Sequence, residues 1–99
     1  MSGFRENDFV VVRTYGAGVH CGFVEKIEGR LTVLRDARRI WRWSEARTLH
    51  ELANNGAGTK RRTRISEPVS LIELPTTIER VACTNKAQEN LCVSRWLDG

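Results

Sequence analysis

Residues 37–43 read Ala37-Arg38-Arg39-Ile40-Trp41-Arg42-Trp43, three arginines and two tryptophans within seven positions. In an extended strand successive side chains point to opposite faces. Arg39, Trp41 and Trp43 then share one face, and Arg38, Ile40 and Arg42 the other. A helix would set the two tryptophans about 200° apart around its axis and leave no common surface. Ile and Trp also suit a pleated, half-buried sheet surface. A face that sets a guanidinium beside flat indoles fits a ligand carrying both phosphate and nucleobase. Arg offers a planar fork to phosphate oxygens, and Trp offers a stacking platform. The plainer alternative is one core Trp among solvated arginines.

Upstream of this stretch the same alternation continues. Phe9 to Tyr15 is β-branched and ends at Gly16-Ala17-Gly18, so it reads as a strand closed by a turn. Phe9, Val11, Arg13 and Tyr15 fall on one side, with Val10, Val12 and Thr14 on the other. Val19 to Ile27 is a second strand, and Glu28-Gly29-Arg30 turns it into a third, Leu31–Leu34, that runs into Arg35-Asp36. The Arg/Trp stretch follows as a fourth. Downstream, Ser44 reads as a helix N-cap with Glu45 in the first turn, and Ala46, Leu49, Leu52 and Ala53 give a helical apolar spacing. Asn54-Asn55-Gly56 stops this helix, and His50 lies opposite its apolar stripe. Residues 57–64 form a basic loop rich in Gly, Thr and Arg. Val69 to Leu74 and Thr76 to Thr84 are further strands separated by Pro75. Asn85 caps a short C-terminal helix, Lys86 to Leu91, and Trp96 packs back as a tether. The expected fold is one α+β domain over residues 1–99. Its main part is a curled antiparallel sheet, a half-barrel-like meander, with one central helix and a short C-terminal helix.

Ninety-nine residues allow one modest core. No apolar run approaches the roughly 18 residues of a membrane span, and no signal-peptide layout is visible. The three cysteines, Cys21, Cys83 and Cys92, lack a paired CxxC, which points to free thiols in a reducing cytoplasm. Two histidines without matching Cys or carboxylate spacing argue against a metal site, and nothing suggests a cofactor. The net charge of +4 is concentrated: residues 35–47 carry +3 and residues 60–64 carry +4, so the remainder is acidic by three. Thirteen of the sixteen cations are Arg. Concentrated Arg-rich charge points to an anionic partner recognised by shape, although base composition alone can enrich Arg.

Several phrases together carry a family resemblance. They are Val11-Val12-Arg13-Thr14-Tyr15 with Ala17-Gly18-Val19-His20-Cys21-Gly22, the run Asp36 to Trp43, Thr48 to Ala53, Arg64 to Val69, and Ala82-Cys83-Thr84. The chain resembles a group of small bacteriophage proteins of about this length, many of them known only as a domain of unknown function. It is also similar to the phage anti-Thoeris and anti-CBASS signal sponges of the first type. That resemblance implies a homo-oligomer in the cytoplasm of an infected bacterial host. It would evade immunity by sequestering a cyclic ADP-ribose isomer or a cyclic oligonucleotide without cleaving it. Gly16, where Ser would be expected, and Arg42, where an aromatic would be, depart from the pattern.

The expected ligand-binding set is Arg13, Tyr15, His20, Arg38, Arg39, Trp41, Trp43, Arg62, Arg64 and Ser66. Arg38 or Arg39, with Arg13 and Arg64, would clamp phosphates; Trp41, with Tyr15 or Trp43, would stack on a base. Each stack contributes about 1–3 kcal/mol and each charged hydrogen bond about 1.5–3 kcal/mol. Tight sites enclose about 70–90% of a ligand, more than a small half-barrel has room for, so the pocket is expected between protomers of a dimer or larger assembly. A single-stranded nucleic-acid binder is the alternative, since curled β domains with aromatic strands and basic loops do that work. Catalysis is not expected. His20 and His50 fall on different elements without an orienting carboxylate, and His20 and Cys21 point to opposite faces of one strand. Gly56-Ala57-Gly58-Thr59-Lys60 follows a helix, not the strand that a phosphate-binding loop requires.

Overall fold

The computed structural model describes residues 3–42, 48–56 and 64–93. Trp43, Ser44, Glu45, residues 57–63 with Arg62 among them, and Trp96 lie outside the described residues. The elements in chain order are β1 (Phe9–Thr14), β2 (Gly18–Glu28), β3 (Leu31–Arg42), α1 (Leu49–Asn55), β4 (Arg64–Ile65), β5 (Val69–Leu74), β6 (Thr77–Ala82) and α2 (Asn85–Val93).

The strands order as β4-β3-β2-β1-β6, with β5 also paired to β3, and every described ladder is antiparallel. β5 and β6 are separated only by Pro75 and Thr76, yet one pairs with β3 and the other with β1. The sheet must therefore curl to bring its two sides together, and it does so without closing. This is the expected α+β fold with a curled sheet.

β1 explains the two-layered interior. Phe9 and Val11 pack into one cluster with Cys21, Ile40, Leu52, Ile65 and Leu91, so this face lies under both helices. Val10 and Val12 point the other way, into the curl, with Val24, Leu34, Ala37 and Leu74. A strand buried on both faces reads as an unbroken apolar run rather than a strict alternation.

One difference from the sequence reading bears on the site. The third and fourth strands expected on either side of Asp36 are a single strand, β3. Asp36 has φ 48°, and the β2–β3 register shifts between Cys21 and Phe23, opposite Arg38 and Arg35. The extra residue is a β-bulge, which kinks a strand without ending it. Gly22 allows the kink: a Cβ there would stand 2.9 Å from the Arg35 carbonyl oxygen and 3.2 Å from Ala37 Cα.

Side-chain polar bonds hold the curl. The Thr32 and Thr77 hydroxyls are 2.8 Å apart. Arg80 donates from Nε to Thr32 Oγ1 at 2.8 Å and from Nη2 to the Gly29 carbonyl at 2.7 Å. The helix caps also differ from expectation. α1 starts after Thr48, whose hydroxyl accepts from the Glu51 backbone N–H at 3.2 Å. Thr48-x-x-Glu51 has capping-box spacing, a stronger start signal than the expected Ser44. α2 begins at Asn85 itself. Thr84, the residue before it, accepts from the Ala87 N–H at 3.1 Å and donates to the Asn54 carbonyl at 2.6 Å, fastening α2 to the end of α1.

Candidate functional site

β3 sends its two adjacent arginines in opposite directions. Ile40 belongs to the core under the helices, and Arg38 lies on that side with it, only 9% exposed. Arg38 donates from Nε to the Ser66 carbonyl at 2.8 Å, and from Nη1 to the carbonyls of Leu91 at 2.8 Å and Cys92 at 3.1 Å. The last two belong to the final turn of α2, where helix carbonyls lack intrahelical donors and the dipole favours a cation. Arg38 is a clamp on α2, and its fork faces carbonyls rather than the open side of the sheet.

Arg39 faces the open side. Its guanidinium carbon lies 4.7 Å from the centroid of the Trp41 ring, a cation–π stack. It also lies close over Gly18, where a Cβ would come within 3.2 Å of Nε and Nη2. Gly18 has φ 81°, so the turn needs a residue free to adopt positive φ as well as one without a side chain. Trp41 keeps 59% of its surface in water. Ser66 accepts the Arg39 backbone N–H at 2.8 Å through its hydroxyl, and its own N–H donates to the Arg39 carbonyl at 2.9 Å. Ser66 thus fixes the backbone behind Arg39.

On β2, His20 sits opposite Arg39 of β3 and Val12 of β1. It is buried, and Nε2 donates to the Ala17 carbonyl at 2.8 Å. Burial holds its pKa below the ordinary 6.5; the Ala17 carbonyl opposes that shift, and the neighbouring Arg39 charge reinforces it. The unfolded chain therefore binds a proton that the folded one refuses. Stability is complete above pH 6.5 and falls as pH drops through the lowered folded value. We expect the urea midpoint to decline between pH 7.5 and 5, and His20→Gln, which keeps an amide donor for Ala17, to flatten that decline. An unchanged decline in the variant would assign it to other groups.

Arg13 and Tyr15 do not join this group. Arg13 pairs with Glu79 at 2.9 Å on the β1–β6 ladder. Tyr15, 80% exposed, lines a separate hollow of about 320 Å³ with Arg30, Thr76, Thr77 and Ile78. Arg64 is half-buried at the start of β4, opposite Arg42. Trp43 and Arg62 lie outside the described residues. The structure thus brings together His20, Arg39 and Trp41, with Ser66 behind. Arg30, Thr76 and Ile78 had no local signal, since they sit on elements that meet only through the curl.

Cys21 packs into the helix-covered core while His20 reaches the turn at Ala17, so the two do not form a pair. Burial pushes the Cys21 and Cys83 thiols up to about 12, away from the thiolate. Among the described residues no group of three His, Cys, Asp or Glu is placed to hold a metal, and no helix is long and apolar enough to cross a membrane.

A family model described as a domain of unknown function, DUF6948, matches residues 7–91. No curated protein and no solved structure matches the chain.

Proposed function

We propose that this chain, which belongs to the DUF6948 family, is a binding protein that captures a nucleotide-derived signal without cleaving it. The observation that carries the reading is the Arg39–Trp41 stack, a guanidinium and an indole held together on an open face. The guanidinium suits a phosphate and the exposed indole, 59% in water, suits a base. Pre-stacking lowers the ordering cost of binding. His20, kept neutral and bonded to Ala17, is ill placed as an acid, which favours capture over cleavage. On the resemblance to phage signal sponges, the ligand is a cyclic ADP-ribose isomer or a cyclic oligonucleotide, and the setting is the cytoplasm of an infected bacterium. A tight site encloses most of its ligand and Trp41 is 59% exposed, so the reading has a second copy of the chain complete the enclosure.

The openness of the same face also suits the second reading, a single-stranded nucleic acid lying across Trp41. A thermal-shift screen at low and high salt separates the two. Ligand at about 100 times its dissociation constant adds about 2.7 kcal/mol of stability, visible in a domain this small. Capture predicts a shift with one cyclic nucleotide that survives salt, and recovery of that nucleotide intact. A shift only with an oligonucleotide, abolished by salt through counterion release, would establish the second reading. No shift with either would overturn both.

A further inference from the structure

Three turns from distant parts of the chain meet at one end of the curl. The Tyr15 N–H donates to the Thr76 carbonyl at 2.9 Å, and the Thr76 hydroxyl donates back to the Tyr15 carbonyl at 2.9 Å. The Thr77 N–H donates to the Arg30 carbonyl at 3.1 Å. Arg80 grips the neighbouring Gly29 carbonyl from below. The backbone of all three turns is therefore tied before any ligand arrives.

Tyr15, Arg30, Thr76, Thr77 and Ile78 surround a hollow of about 320 Å³ between these turns. Tyr15 is 80% exposed and Ile78 52% exposed, so an aromatic ring and an aliphatic chain stand in water around a pre-tied rim. Among the described lining residues there is one cation and no carboxylate. The nearby acids are engaged elsewhere: Glu28 pairs with Lys26 at 3.1 Å, and Glu79 with Arg13 at 2.9 Å. Arg80 adds a second positive charge beneath the rim. The hollow is at the small end of ligand sites, which run about 300–1,000 Å³.

We infer that this hollow is a binding site for one small organic anion with a flat or apolar body. The body packs against Tyr15 and Ile78, and the anionic group bonds to the Arg30 guanidinium and the Tyr15 phenol. The site uses none of His20, Arg39 or Trp41 and stands apart from the function proposed above. The anion is a phosphate ester or a carboxylate, and the experiment tells them apart.

Tyr15 is the only tyrosine in the chain, so 3-fluorotyrosine labelling gives a single ¹⁹F resonance at the rim. The labelled full chain is titrated with adenosine monophosphate, phenyl phosphate, benzoate and inorganic phosphate. The site predicts a saturable shift with an aromatic anion. It also predicts affinity at least about tenfold below the parent in Arg30→Ala, from loss of a charged hydrogen bond, and unchanged affinity in Trp41→Ala. Saturation by the two phosphate esters alone, or by benzoate alone, identifies the anionic group. The inference is overturned if no aromatic anion saturates the resonance, if inorganic phosphate binds equally well, or if Arg30→Ala binds as the parent does.

Discussion

Replacing Arg38 with Met is expected to remove about 3 kcal/mol of folding stability, with little change in the steepness of the urea transition. The side chain is nearly the right length and apolar, so the loss isolates the guanidinium. Three backbone carbonyls, those of Ser66, Leu91 and Cys92, lose their donor. A buried acceptor left unsatisfied costs about 1–3 kcal/mol, and the Ser66 and Cys92 bonds are only part-buried, so water recovers some of theirs. Domains of this size have about 5–15 kcal/mol in all, which makes the loss a large fraction. Arg38→Lys should recover only part of it, because an ammonium supplies a point charge where the fork reaches two elements at once. The helix α2 should loosen first, seen as faster amide exchange around Leu91 than in β1. A variant as stable as the parent would show that α2 is held by its apolar contacts, Ala87 and Leu91, without the clamp.

The contrast between Arg38 and its neighbour marks where the sequence is informative and where it is not. Alternation alone puts Arg38 with Ile40 and Arg39 with Trp41, and the structure keeps that pairing. Alternation cannot say which face the helices cover. That depends on α2 returning across β3 from more than fifty residues away. A guanidinium matched to helix-end carbonyls looks, in one dimension, the same as one awaiting a phosphate. The Arg excess has the same ambiguity: Arg13, Arg35, Arg38 and Arg80 are each engaged with acids or carbonyls of the chain.

Local signals were legible where the physics is local. β1 is visible as an apolar run because it lies between two clusters. The Thr48-x-x-Glu51 cap was present in the sequence, masked by the apolar spacing that carries the helix back to Ser44. The bulge at Asp36 was hidden for a different reason. Arg35-Asp36 resembles a strand end, but pairing to β2 on one edge and β5 on the other carries β3 through it. Of the three-turn hollow only Tyr15 stood out in the sequence, since Arg30 and Thr76 become its neighbours only when the sheet curls.

Arg39→Ala and Trp41→Ala should instead cost binding and spare the fold. Neither side chain belongs to the apolar clusters, and Trp41 is mostly in water, so each should change stability by about 0.5 kcal/mol or less. Loss of the indole removes a stacking surface, about 1–3 kcal/mol per base, or roughly 5- to 150-fold in affinity. Loss of the guanidinium removes a charged hydrogen bond to phosphate, about 1.5–3 kcal/mol. The two effects should not add, because the indole also holds the guanidinium flat at 4.7 Å. Without Trp41 the remaining Arg is disordered and binds less well, so the double variant should lose less than the sum of the singles. Gly18→Ala supplies an independent check: it leaves both side chains in place but crowds the guanidinium and strains a positive-φ turn, so it should weaken binding in the same assay. Calorimetric titration of the ligand found in the screen, across these four variants and Arg38→Met, separates the two arginines. If Arg39→Ala binds as the parent does, the stack is a surface ornament and the open face of β3 is not the binding site.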